Sequence, residues 1–224
     1  MKVVSISLIF LSCAAYGQKA DSVASKKIMH RLAVKWSPLH LVGYYPTVQL
    51  AVEHRIADRL SLQGDAGYVV NTSSAESKDG FDKKGFKAKL DVRYYFPFGR
   101  SAFFIAPEVY YNYVDFKSSG TFGVDCDDPE GGCYYYRYYT YLVHYREPGL
   151  NFKGGLIHRF GKHFCIEYHL GLSLRFIRYN TPDKPPGKSY EERYERGFPD
   201  FSLNKESLNT LFPSTGFRLG YIFR

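Results

Sequence analysis

Apolar and polar side chains alternate with a period of two through eight separate segments of this chain, and that period specifies half-buried strands. The clearest segment sets Phe86, Ala88, Leu90, Val92, Tyr94 and Phe96 against Lys87, Lys89, Asp91 and Arg93. Another alternates Phe164, Ile166, Tyr168, Leu170, Leu172, Leu174 and Phe176 with Glu167, His169, Ser173 and Arg175. The others cover about 31–37, 48–55, 60–70, 103–113, 135–160 and 214–223, and 135–160 is the least regular. Only 190–196, inside a loop, offers a competing helical stretch. Ala57-Asp58, Phe98-Gly99-Arg100 and Gly161-Lys162-His163 read as tight turns. Between them lie long links at about 71–85, 117–132 and 181–207, with a shorter one near 42–45. Short turns at one end and long links at the other describe an antiparallel up-and-down sheet, and eight such strands close into a barrel without exposed edges.

The period shows one apolar face without saying where it points. A soluble barrel turns that face inward around a ligand, whereas a membrane barrel turns it outward into lipid. Full charges occupy mid-strand positions of the polar face. Mid-strand or nearer the segment ends, the polar face as a whole carries the basic Arg31, Lys35, Arg55, Lys87, Lys89, Arg93, Lys153, Arg159, Arg175 and Arg218 and the acidic Glu53, Asp65, Asp91, Glu108 and Glu167. Mixed signs suit a narrow interior in which they neutralise one another. Aromatic residues make up 18 % of the chain, with 21 Tyr and 18 Phe. On the apolar face Phe96, Phe103, Phe160, Phe164, Tyr221 and Phe223 gather beside the short turns, and Trp36 joins them as a candidate membrane-interface aromatic. We therefore expect an all-β, eight-stranded antiparallel transmembrane barrel with short periplasmic turns and long extracellular loops. The alternative is a soluble periplasmic barrel that binds a hydrophobic ligand. After the N-terminus no apolar run approaches the ~18 residues of a membrane helix, so a helical bundle is excluded.

The N-terminus sets the compartment. Met1-Lys2, an apolar Val3–Leu11 and the small residues of Ala15-Tyr16-Gly17 read as a signal peptide over 1–17. A short periplasmic tail over 18–30 and the barrel over 31–224 follow. Phe10-Leu11-Ser12-Cys13 is a rival site for lipidation at Cys13. In an oxidising compartment, Cys126 and Cys133 bracket a turn-rich loop and read as a disulfide, which leaves Cys165 as a small buried side chain. Two Cys without a nearby His make half a zinc site, and Asp125, Asp127, Asp128 and Glu130 match no EF-hand spacing. No metal and no cofactor is expected.

The exported eight-strand pattern and the final strand, with Thr215, Phe217, Leu219, Tyr221 and Phe223 at alternate positions, resemble the small outer-membrane barrels of Gram-negative bacteria, of the OmpX and OmpA-transmembrane-domain type. Val48-Gln-Leu-Ala-Val-Glu53, Arg59-Leu-Ser61-Leu62 and Gly67-Tyr68 also resemble an uncharacterised family of such barrels. The resemblance spans roughly 31–224 as a strand pattern. It implies a place in the bacterial outer membrane, insertion by the barrel-assembly machinery, and contact with outer-membrane lipid and lipopolysaccharide. In these families the assembly signal usually ends on an aromatic residue, whereas here Arg224 follows Phe223.

Side chains nearly fill the lumen of eight strands, so a general pore is not expected. The charged face reads as a salt-bridge network of Glu53, Asp65, Asp91, Arg93, Glu108, Lys153, Glu167, Arg175 and Arg218. Glu53, Arg93, Glu167 and Arg218 lie at similar depth from the short turns. A plugged channel of slight anion preference is the second reading of the same residues. No catalytic residue is assigned: His169 and Ser173 are ~13 Å apart along a strand at ~3.3 Å per residue, and lipid modification would need His144 to meet Ser118 or Ser119. The stretch holding Tyr134, Tyr135, Tyr136, Tyr138, Tyr139 and Tyr141 is a candidate loop for recognising an extracellular partner. Lys184, Lys188, Arg193 and Arg196 are candidates for lipopolysaccharide phosphates. The net charge of +8 is spread over the polar face and loops, which does not fit nucleic acid.

Overall fold

The computed structural model describes residues 32–41, 45–71, 81–124, 134–183 and 207–223. The segments expected to be signal peptide and tail, Cys126 and Cys133 with their expected bridge, Arg31 and the four basic residues of 184–196 lie outside them.

Eight strands form one closed antiparallel barrel in chain order. They are β1 (Leu32–Trp36), β2 (Thr47–Arg55), β3 (Leu60–Val69), β4 (Phe81–Phe98), β5 (Ser101–Val124), β6 (Tyr135–Phe160), β7 (Phe164–Asn180) and β8 (Ser207–Phe223). β1 closes the ring by pairing with both β2 and β8. A 3-10 turn, Pro38–Leu41, follows β1. Gly99 and Gly161 have φ of 56° and 62°, the left-handed conformation these tight connections require and a side chain resists.

The wall is uneven in height. β1 has 5 residues, whereas β5 has 24 and β6 has 26. β5 and β6 stay paired from Ser101–His158 to Val124–Tyr135 and so form a tall ribbon. Strand therefore extends into two of the stretches read as links, 71–85 and 117–132: β4 starts at Phe81 and β5 reaches Val124. The tyrosine stretch follows the 135–160 alternation and is not a loop. Tyr135 to Tyr141 belong to β6, because tyrosine favours strands and 118–124 supply the partner backbone. Tyr141 is buried against Phe122, ring centroids 5.8 Å apart, and is withdrawn as a recognition residue. Tyr139 also packs on Phe122, whereas Tyr134, Tyr135, Tyr136 and Tyr138 remain exposed.

Apolar side chains cap the lumen at both levels. Ala33, Tyr95, Ala102, Phe104, Ala106, Ile157, Cys165 and Ile222 pack together near the short turns. Val69, Val114, Phe116, Phe122, Tyr141, Val143, Tyr145 and Ile177 pack at the other end. Cys165, free and 2 % exposed, is expected to resist a water-soluble maleimide in the folded barrel and to react fully once it is unfolded. Labelling at equal rates in both states would contradict the closed lower cap.

Candidate functional site in the lumen

Alternation sends the polar face inward, and every strand contributes to one ionic cluster at the waist. Glu167 of β7 lies at its centre. It accepts from Lys35 at 2.5 Å, Arg93 at 2.7 Å and Arg218 at 3.0 Å. Lys35 also meets Glu53 at 2.5 Å, and Arg93 holds Asp91 at 2.6 Å. Arg218 reaches Asp65 at 2.5 Å. Lys153 contacts Asp91 at 2.6 Å and also pairs with Glu108. The cluster thus joins Lys35, Arg93, Lys153 and Arg218 to Glu53, Asp65, Asp91, Glu108 and Glu167.

Neutral groups satisfy many of the remaining lone pairs, as buried charge requires. Ser61 and the Tyr95 hydroxyl donate to Glu53 at 2.6 and 2.7 Å. Gln63 and Gln49 donate to Asp65 at 2.8 and 2.9 Å, and Asn151 donates to Glu108 at 3.0 Å. Lys87 reaches only the Tyr45 carbonyl, at 3.4 Å, and Lys89 makes no direct ion pair among the described residues.

A second cluster lies nearer the tall end. Glu147 accepts from the Tyr145 hydroxyl, from Tyr110 at 3.2 Å and from Asn112 at 3.2 Å; Arg175 approaches it at 3.5 Å. Arg175 therefore belongs here rather than to the waist cluster. Glu147 was missed because His144, Arg146 and Glu147 put charge on both faces of β6. Counting back by twos from Lys153 and Asn151 would have found it.

The outward face of β7 is apolar from Phe164 through Leu170, 60 % exposed, to Phe176, and turns polar only at Arg178 and Asn180. Phe96, Phe103, Phe160, Phe164, Tyr221 and Phe223 all point outward and are exposed. Phe164 and Phe223 both pack edge-on to Tyr221. Trp36 is corrected: it stands opposite Leu50 and Leu219 inside the apolar band. β1 climbs away from the short-turn end at Leu32, which leaves its last residue ~13 Å farther along the strand at ~3.3 Å per residue. Charged side chains fill the waist, so a hydrophobic ligand within it, the soluble alternative, finds no matching lining. Beyond the band, a hydrogen bond from Lys117 holds the Asp82 carboxyl below its usual range, and Lys84 adds to the effect.

His144 does not meet the serines that catalysis would need. Its Nδ1 lies 2.6 Å from Asp115, while Ser118 is buried and Ser119 contacts Thr140 at 3.1 Å. Ser173 contacts the Tyr110 hydroxyl at 2.8 Å, not His169. Ser101 and His158 do lie 2.7 Å apart, but among the described residues no carboxylate joins them to complete a triad. Nor, among those residues, does any group of His, Cys, Asp and Glu approach a metal-binding arrangement.

A closed eight-stranded up-and-down barrel with an apolar outer band and a charged interior is a barrel of the transmembrane type. Among solved structures it is similar to the N-terminal β-barrel domain of Pseudomonas aeruginosa OprF, at 11 % identity and a TM-score of 0.34, over 86 % of this chain and 96 % of that one. No protein-family model and no curated protein matches the chain.

Proposed function

We propose that this protein is an integral outer-membrane barrel with a structural or surface-interaction role. Its lumen is a fixed ionic strut rather than a general pore. The observation that carries this reading is the pairing of an outward apolar band with an inward cluster to which all eight strands contribute. Lipid solvates the first, and the second ties the strands to one register. The exported pattern and the aromatic last strand support a route through the barrel-assembly machinery. The ribbon of β5 and β6 supports contact with an extracellular partner: beyond the apolar band it presents Tyr134, Tyr136 and Tyr138, the first of them 86 % exposed. Tyrosine offers area and a hydroxyl at little entropic cost.

Folding with and without detergent, followed by electrophoresis of boiled and unboiled samples, tests the membrane half. A compact, heat-sensitive species that forms only with detergent is expected. A monodisperse protein in plain buffer overturns the reading. Planar-bilayer recording tests the lumen half. We expect no steady ohmic conductance at neutral pH, because the waist and both caps are filled. Stable porin-like openings would contradict the strut.

A further inference from the structure

We propose that Arg146 and Arg178 form an outward-facing site for the phosphate of an outer-leaflet lipid, an inference that rests on the membrane reading above. The two residues stand directly opposite one another on β6 and β7. Their chain neighbours Tyr145, Glu147 and Ile177 are buried inside, so alternation sends both guanidinium groups outward. Like charges directly opposite one another in an antiparallel pair destabilise it. Among the described residues neither guanidinium has an ion pair or hydrogen bond to relieve that repulsion. Arg146 lies over the Tyr113 ring, 5.9 Å from its centroid.

The carboxylate one row away is already engaged. Asp115 contacts His144 through one oxygen at 2.6 Å and accepts from the Tyr113 hydroxyl through the other at 3.0 Å. On β4 and β5 the outward charges beyond the band are matched within the protein, since Asp82 meets Lys117 at 3.1 Å and Lys84 at 3.5 Å. On β6 and β7 Arg146 and Arg178 have no such carboxylate among the described residues.

Position selects the occupant. Phe86 stands opposite Tyr113, Tyr113 opposite Arg146, and Arg146 opposite Arg178. One row therefore passes from interface aromatics to the arginine pair. Below Arg178 on the same face come Phe176, Leu174 and Leu172, the start of the apolar band. A phosphate between the two planar forks would accept parallel N–H bonds from both, while its acyl chains lie along those side chains. A free phosphate has no use for the apolar surface beneath. A phosphorylated lipid, of which lipopolysaccharide is the outer leaflet's example, uses both.

The test is native mass spectrometry of the full folded barrel in micelles, titrated with bisphosphorylated lipid A, with its dephosphorylated form, and with inorganic phosphate alone. The wild type should retain the phosphorylated lipid selectively. Joint Arg146→Gln and Arg178→Gln should lower its apparent affinity about tenfold or more, through loss of charge-assisted bonds. Lys117→Gln, which removes an outward cation already matched by Asp82, should leave retention unchanged. Equal retention by the double variant, equal retention of dephosphorylated lipid, or saturation by inorganic phosphate alone would each overturn the assignment. A thermal scan adds a readout that a purely structural role would not move: the double variant should match or exceed the wild type in phosphate-free micelles and fall below it once lipid A is added. Lower stability in both conditions would count against the site. A chain that folds without detergent fails the membrane reading itself; one that inserts normally with lipid-indifferent variants fails only this inference.

Discussion

Glu167→Ala is expected to destabilise the folded barrel by about 3–5 kcal/mol, the typical cost of removing one partner from a buried ion pair. The loss arises less from the missing attraction than from what remains. Lys35, Arg93 and Arg218 all lie within 3.0 Å of the Glu167 carboxylate and are essentially buried. Without it, three cations face one another across a space with little water to screen them. Lys35 keeps Glu53, Arg93 keeps Asp91 and Arg218 keeps Asp65, so the barrel should still fold. Glu167→Gln preserves volume and one acceptor and should lie between wild type and alanine. Urea titration in detergent, read by Trp36 fluorescence or by the heat-sensitive gel shift, measures the effect. Arg175→Ala is the control. Its side chain is 27 % exposed and 3.5 Å from a single carboxylate, Glu147, so its removal should cost clearly less than that of Glu167, which holds three cations. Equal effects at Glu167 and Arg175 would mean that the waist cluster does not hold the strands together.

The second large effect concerns the opposite face. Leu170→Arg is expected to cost about 2–4 kcal/mol in a bilayer, the value for arginine at the midplane of an outer-membrane barrel, falling toward zero near the interfaces. Leu170 is the middle outward residue of β7 between Phe164 and Phe176, and its side chain is exposed on the face opposite the lumen. In water such a substitution on an exposed residue would be nearly neutral. A depth profile in which Ile166→Arg and Leu174→Arg cost less than Leu170→Arg, measured by urea titration in lipid vesicles, is the expected result. A flat profile near zero would mean that this surface meets water.

How legible each element was depended on whether its two faces differed in charge. On β4, Lys87 to Arg93 carry charge on one face only, and on β7 the apolar set from Phe164 to Phe176 is unbroken, so parity was plain. The short turns gave a common depth for Glu53, Arg93, Glu167 and Arg218, residues the barrel gathers within one cluster. Lys35 was visible on the inward face, yet its bridge between Glu53 and Glu167 depends on where β1 closes the ring, which no local pattern encodes. On β6, His144, Arg146, Glu147 and Pro148 blur the alternation. Both the inward Glu147 and the outward opposition of Arg146 to Arg178 were therefore hidden until register was known. The tyrosines of 134–141 carried two readings, the irregular start of the 135–160 segment and a recognition loop, because their alternation is weak. Pairing with 118–124 made most of them strand, a non-local contact. Trp36 was misplaced for the same reason: its height follows from its partners Leu50 and Leu219, not from its neighbours in the chain.

The central claim is that the apolar face of the barrel meets lipid. Spin labels placed singly at Ile166, Leu170 and Leu174 in protein reconstituted into vesicles test it most directly, through relative accessibility to oxygen and to a water-soluble nickel chelate. High oxygen and low nickel accessibility at all three, with the greatest depth at position 170, is the result predicted. Nickel accessibility as high as oxygen accessibility at all three positions would contradict it, because the surface from Phe164 to Phe176 would then face water.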